Sequence, residues 1–384
     1  MLSHLFKLIW NKKKTHILLI VEIVAAFLVL FGVTSLVVYN LRNYSEPLGF
    51  DYRNVWILDC TSASSTAEQI KGRIRKYPQV ESVALFDGGT PYSGGGYSQS
   101  INNDQWHIFA YFYYTDTDGA RTLGIPLVEG RWFNQSDEVD DSRALIINQP
   151  LKEAMFGSGN ALGQEVGLGE AEDKEKYRIV GIIGNFKGKG EYSDNSQAFF
   201  RPIYGRPNRS TFLIKVKPGT DASFEALLAQ EIGAMSENPN VSVSYMEEER
   251  KQSLSSTLLP MTIALVVSVF LLINVGLGLF GVLNLSIARR RSEIGLRRAL
   301  GATERGISLQ FLGEIWVLAS FSLLIGLLFA FQFPLLNVFD LDAEVYLIAI
   351  ALSVLIIYGL VTLCAWLPSW QAARIHPATA LHED

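Results

Sequence analysis

Four stretches of the 384-residue chain have residue types and spacings that could do chemistry. Gly276-Leu277-Gly278-Leu279-Phe280-Gly281 has the glycine spacing of a dinucleotide-binding turn. Such a turn needs a strand before it and a βαβ unit around it. Here it lies inside a 28-residue apolar run, where small residues that let another helix approach closely explain it better. Lys187-Gly188-Lys189-Gly190 is a superficial phosphate loop: Ile183 stands where its first glycine should be, and Gly190 where Ser or Thr is required. Ser93-Gly94-Gly95-Gly96 has no strand–turn–helix setting for a nucleophile, and His107 is the only histidine between the first and second apolar runs. Histidine-based hydrolysis and multi-histidine metal binding are therefore unsupported. Cys60 belongs to a polar segment and Cys364 to an apolar one, which leaves no disulfide framework and no cysteine metal site. The reading is of a chain with no catalytic, metal or cofactor site and no ATPase motif. The fourth stretch, a basic connector around residues 286–306, has a spacing suited to docking.

The elements that must position these residues begin with four long apolar runs, at about 16–39, 258–285, 307–333 and 345–366. Each exceeds the ~20 residues a helix needs to cross ~30 Å of hydrocarbon. The first is too long for a signal-peptide core and is followed by no small-residue cleavage site, so an uncleaved span is expected. Lys12, Lys13 and Lys14 precede it, and Arg289, Arg290, Arg291, Arg297, Arg298 and Arg305 lie between runs two and three. The loop between runs three and four has no basic residue and carries Asp340, Asp342 and Glu344, while Arg374 follows run four. The positive-inside rule then places both termini (1–15 and 367–384) and the 286–306 segment in the cytoplasm, with 40–257 and 334–344 outside. Pro260 is expected in the first turn of the second span, where a missing N–H costs little. Within the spans only Glu22 and Glu314 are charged, both near cytoplasmic ends, where each can snorkel or pair with a nearby Lys or Arg. Ser268, Asn274, Ser322 and Ser353 complete a polar set too thin to line a solute pathway.

Residues 42–257 hold 22 Lys and Arg against 29 Asp and Glu, an acidic balance that argues against nucleic-acid binding. In 40–87 the order strand (from Asn54), helix (from Ser64), strand (from Gln79) is followed in 209–250 by the same order, with Asp221 as N-cap of the second helix. Both units carry a similar turn, Tyr77-Pro78-Gln79-Val80 and Asn238-Pro239-Asn240-Val241. Between them, 88–208 alternates in short stretches such as Arg143–Gln149 and Tyr177–Phe186, which read as an inserted, mainly β subdomain. The expected fold is thus four transmembrane helices plus an α/β extracytoplasmic domain of two βαβ units with a β-rich insert.

In the connector, Ile294, Leu296, Ala299 and Leu300 supply an apolar stripe, Arg290, Arg297 and Arg298 surround it, and Gly295 and Gly301 offer bends. From composition alone, partner docking and a topogenic helix lying on anionic lipid are equally good readings. Arg290, Glu293, Ile294, Gly295, Leu296, Arg297, Arg298, Ala299, Leu300, Gly301, Ala302 and Thr303, with Gln310, Phe311, Leu312 and Glu314 beyond them, resemble the connector and start of span three in MacB/FtsX-type ABC transporter permeases. The tail resembles the family's ending through Pro368, Ala372, Ala373, Arg374, Pro377, Ala380 and Leu381. The resemblance covers essentially the whole chain and turns the balance toward docking, at residues 290 and 293–301.

The resemblance implies a permease subunit of the bacterial cytoplasmic membrane, not itself an enzyme, served by a separate dimeric ABC ATPase. It also implies a second permease chain, identical or paralogous, and leaves room for a periplasmic adaptor. ATP-driven movement of the connector would be transmitted to the external domain for export of drugs, peptides or lipoproteins. The alternative is a regulatory protein that senses peptides or activates an envelope hydrolase.

Overall fold

The structure is a computed structural model that describes residues 13–374 except 61–63, 88, 94–96, 103–106, 139–142, 170–175, 195, 204–209, 237–239 and 337. The N-terminal 12 residues, the tail from 375 onward, the glycines at 94–96 and the turn at 238–239 lie outside the described residues. The chain divides into a helical unit, residues 1–41 with 259–384, and a large folded unit, residues 42–258.

Helix α1 is Lys13–Ser45. There follow β1 (Val55–Cys60), α2 (Ser64–Ile74), β2 (Val80–Asp87), β3 (Tyr97–Asn102), β4 (His107–Thr115), the short α3 (Gly119–Leu123) and β5 (Leu127–Gly130). Next come β6 (Ala144–Asn148), α4 (Gln149–Phe156), β7 (Glu165–Leu168), β8 (Lys176–Ile183), β9 (Ala198–Pro202), β10 (Ser210–Val216), α5 (Ala222–Met235) and β11 (Ser242–Tyr245). The chain closes with α6 (Met246–Arg289), α7 (Arg291–Ala299), α8 (Glu304–Ala330), the one-turn α9 (Gln332–Leu335) and α10 (Ala343–Ala373).

In the large unit, the two βαβ units do not stand side by side; their strands interleave. The order is β11-β1-β10-β2, every neighbour antiparallel, so each unit's two strands flank a strand of the other. This is the split βαβ arrangement. Helices α2 and α5 cover one face, where Ile70, Ile74, Leu228 and Ile232 meet Trp56, Leu58, Phe212 and Ile214. The alternate residues Val55, Ile57 and Leu213 join a second buried cluster. Burial on both faces is why β1 and the Phe212–Ile214 stretch of β10 read as unbroken apolar runs rather than alternating ones. Phe224, Leu228 and Ile232 recur every fourth residue on α5 and are all buried, each contributing about 1.5–3 kcal/mol. Asp221 caps this helix, its side chain accepting from the Phe224 amide.

Strand β2 pairs with β4 through Phe86 and Asp87, carrying the sheet into the insert. There the order β4-β3-β7-β8-β6-β9 closes on itself through a parallel β9–β4 pairing, and β5 pairs with β8. The insert is therefore a closed six-stranded ring, and closure removes the exposed edges that short strands would otherwise present. Ile147, Ile179 and Phe199 are fully buried within it together with Leu151 and Met155 of α4. Asn148, with no exposed surface, ties this corner. Its Oδ1 accepts from the Leu151 and Ala198 amides, and its Nδ2 donates to the Ser196 carbonyl.

In the helical unit the first, second and fourth apolar runs each lie within one helix, and the third extends past the end of α8 into α9. Among the described residues four helical stretches are long and apolar enough to cross a membrane. Ile23 and Phe27 of α1, Leu279 of α6, Ala319 of α8 and Ile357 and Val361 of α10 form its core. Small residues permit the close approach: a Cβ on Gly326 would meet the Phe27 ring at 2.5 Å, and one on Gly276 would meet Cys364 Sγ at 2.9 Å. Polar side chains satisfy themselves locally. Ser322 and Ser353 donate to carbonyls one turn back, Thr34 and Ser353 share a 2.8 Å hydrogen bond, and Asn274 donates to Phe270. The Ser268 hydroxyl is buried with no described partner.

Pro260 is not in a first turn but well inside α6, because the helix begins at Met246 rather than at the apolar run. Acidic residues at 247–249 suit the start of that helix, where the macrodipole favours negative charge.

Candidate functional site

The connector is built by two interruptions of helix. Arg290 breaks the helix between α6 and α7 with φ −112° and ψ 17°. Beyond α7, Gly301 adopts φ +97°, which a residue with a Cβ rarely tolerates. Thr303 then starts α8, its hydroxyl accepting from the Gly306 amide at 3.1 Å. The expected bend at Gly295 is not there: Gly295 is buried in the middle of α7, and the chain turns at Arg290 and Gly301 instead.

The supposed apolar stripe also divides. At about 100° per residue, Leu296, Ala299 and Leu300 fall on one side of a helix and Ile294 on the other. The burial follows that geometry. Ile294 is 4% exposed and joins the core with Ile307 and Phe311, whereas Leu296 is 51% and Leu300 80% exposed. Ala299 is exposed beside them.

The arginines brace the connector from within. Arg290 donates to both carboxylate oxygens of Glu314, at 3.0 and 3.1 Å, with each side chain about one-fifth exposed. Arg297 donates to Gln310 Oε1 at 2.7 Å and pairs with Glu293 one turn before it. Arg298 donates to the Ala302 carbonyl at 3.1 Å and pairs with Glu304 at 3.1 Å. The structure thus brings the expected residues together but gives them two tasks. Arg290, Ile294, Arg297 and Arg298 hold α7 to the start of α8, Glu293 pairs with Arg297 inside α7, and Leu296, Ala299 and Leu300 face away. Thr303 and Glu304 were missed as bracing groups, although a Thr directly before a helix that opens with Glu is a legible cap.

The two charged residues of the spans differ. Glu314 is the counter-ion of Arg290, whereas Glu22 lies against Gly278 of α6, where a Cβ would come within 2.9 Å of its carboxylate. In the large unit a buried charge network went unread in the sequence. Lys71 of α2 reaches Asp116 at 2.6 Å and Asp118 at 2.8 Å, and Arg75 also pairs with Asp118. Burial raises the Asp116 carboxyl to about 6 against the pull of Lys71. Although burial opposes it, the two carboxylates hold the Lys71 ammonium above its ordinary value. The network joins α2 to the segment after β4, so it is a structural tie between layer and insert.

A folded α/β unit carried between the first two of four helices long and apolar enough to cross a membrane, with a braced connector after the second, is the layout of a multi-pass membrane protein. The MacB-like periplasmic core domain family matches residues 17–231, and the FtsX-like permease C-terminal family matches residues 265–377. The chain belongs to the MacB/FtsX-type ABC transporter permeases.

It is 25% identical over 354 residues to the ABC transporter permease YvrN of Bacillus subtilis (strain 168), covering 84% of this chain and 80% of that one. It is 26% identical over 277 residues to the macrolide export ATP-binding/permease protein MacB 1/2 of Paracoccus denitrificans, covering 68% of this chain but 40% of that protein. The chain therefore spans less than half the length of that relative. The periplasmic region of MacB from Actinobacillus actinomycetemcomitans aligns with 15% identity and a TM-score of 0.40, over 55% of this chain and 97% of that one.

Proposed function

We propose that this chain is the membrane subunit of an export complex in which a separate dimeric ATPase docks on the connector, and ATP-driven motion is passed to the large domain. The observation that carries the docking is the face formed by Leu296, Ala299 and Leu300. It is apolar and exposed on a short helix whose arginines are engaged in internal bonds, so its own core does not need it. An exposed apolar patch on an otherwise braced element suits a protein partner. Residues 290, 293, 294, 295, 297, 298 and 301 shape that surface, and 296, 299 and 300 make the contact.

The basic connector and N-terminus support a cytoplasmic position for this surface and an outside position for the large domain, in the bacterial cytoplasmic membrane. The spans carry few polar groups, and most of these are satisfied within their own helices, which supports transmission of motion over passage of a polar solute between helices. Helices α1 and α6 are the covalent links between the two units and the natural route for that motion. Several relatives are named for export, of macrolides and, in Pseudomonas putida, of pyoverdine, which supports an export cargo handled by the large domain. A second permease chain completes the complex, and a periplasmic adaptor is compatible with it.

The test is affinity purification of the full chain from its native membrane. Wild type is expected to retain an ABC ATPase, and Leu296→Asp with Leu300→Asp to lose it while the large domain keeps its resistance to protease. Equal recovery of the ATPase by both proteins would remove the docking assignment.

A further inference from the structure

The Lys187-Gly188-Lys189-Gly190 stretch does not match a phosphate loop in sequence, yet its geometry is specific. It lies in the 184–193 strap between β8 and β9 of the insert, and this strap grips two other parts of the large unit.

The first grip is on the end of α1 and the chain just after it. The Lys187 side chain has no exposed surface; its Nζ donates to the Asn43 carbonyl at 2.5 Å and pairs with Glu46 at 3.2 Å. A cation is favoured at the C-terminal end of a helix, where carbonyls lack intrahelical partners. The Lys187 amide donates to the Leu48 carbonyl, Asn43 Nδ2 donates to the Tyr192 carbonyl, and the Tyr44 and Tyr192 rings stack at 5.3 Å. Gly49, at φ +86°, lies so close that a Cβ would be 1.7 Å from the Asn185 carbonyl oxygen.

The second grip is on the first turns of α6. Arg250 donates to Glu191, and the Ser253 hydroxyl donates to the Lys189 carbonyl at 2.9 Å. Gly190, at φ +107°, is needed there, since a Cβ would meet Ser253 Oγ at 2.9 Å. Gly188 meanwhile presses the strap on the insert, with a Cβ there falling 2.0 Å from the Tyr113 hydroxyl.

We propose that the 184–193 strap is a two-sided latch. It ties the ends of α1 and α6 to each other and to the ring of the insert, so that a change in the separation of these two helices is converted into a movement of β8 and β9. The latch rests on the force-transmission reading above, but its geometry can be tested without the ATPase. Loops that merely pack would lose order locally when cut. A latch must pass the loss of one grip to the other.

The experiment is hydrogen exchange of the full chain in lipid nanodiscs, with protection of residues 144–148 as the folding control. Lys187→Met is expected to speed exchange at 247–256 about tenfold, although the described bonds of Lys187 go to Asn43, Glu46, Leu48 and Gly190 and not to that segment, and Glu191→Gln to do the same at 40–48. Changes confined to each variant's own grip would overturn the latch. If Lys187→Met fails the folding control, Glu191→Gln with Ser253→Ala decides the question by the same criterion at 40–48. Adding the co-purified ATPase and ATP separates the two readings. With the latch intact, wild type alone is expected to show an ATP-dependent change at 176–202, while Lys187→Met keeps the change at 286–306 and loses the one at 176–202. Absence of any change at 286–306 in wild type would count against the force-transmission reading only, the nucleotide-free result still deciding the latch. Persistence of the change at 176–202 in Lys187→Met would overturn the latch.

Discussion

Replacing Glu314 by Ala should open the connector without unfolding the helical unit. Both bonds from Arg290 end on this carboxylate, and with both side chains only about one-fifth exposed, water compensates the lost partner poorly. Hydrogen bonds to charged groups contribute about 1.5–3 kcal/mol, and the paired bonds are not additive. A loss of about 3 kcal/mol is expected, roughly 150-fold in the equilibrium for local opening of α7. The effect should stay local because Phe311, Ile315 and Leu318 anchor α8 in the core independently of the ion pair. The assay is hydrogen exchange of the full chain in nanodiscs, following the amides of 291–299 against those of 315–330. Glu314→Gln, which can still accept one bond from Arg290, should show a smaller effect, about tenfold. Wild-type protection of 291–299 in Glu314→Ala would refute the bracing role. Equal loss across α8 and α10 would show that the pair supports the whole helical unit instead.

Two other perturbations probe the packing. Gly326→Ala places a methyl about 2.5 Å from the Phe27 ring, and overpacking of this kind costs about 1–3 kcal/mol. Thermal unfolding in detergent should show that loss, with Phe27→Leu restoring part of it; strictly additive effects would mean that the two sites do not touch. Asp116 has a folded value of about 6 against an ordinary 3.8, so the folded state takes up the proton first. Its contribution to stability is then full below about pH 3.8 and lost as pH rises through about 6, a difference of about 3 kcal/mol. Denaturation of the full chain between pH 4 and 7 should show this slope, and Asp116→Asn should flatten it; an unchanged slope in the variant would assign it to another group.

Much of the outline needed only the chain's own pattern. Length and hydropathy set the four spans, because hydrocarbon thickness fixes how many apolar residues a crossing helix requires. The lysines and arginines set the expected orientation, and the repeated strand–helix–strand order with its Asp221 cap marked the two similar units, because these are properties of local sequence. The strand order was not legible: interleaving of β1 and β10 depends on which distant segment pairs with which, and alternation within a strand carries no such address. Closure of the insert through β9 and β4 is likewise a long-range pairing.

The connector shows the same division at the level of single residues. The basic and apolar residues between 290 and 301 stand together in the sequence, and helical angle alone separates Ile294 from Leu296, Ala299 and Leu300. What each arginine does was decided by α8, which places Gln310 and Glu314 within reach of Arg297 and Arg290. Lys187 makes the point most sharply. In the sequence it belongs to a failed phosphate loop, and in the fold it is a buried cation at the end of a helix 144 residues earlier. Local spacing determines what elements a chain can form; a buried charge acquires its role only from the distant partner that the fold delivers to it.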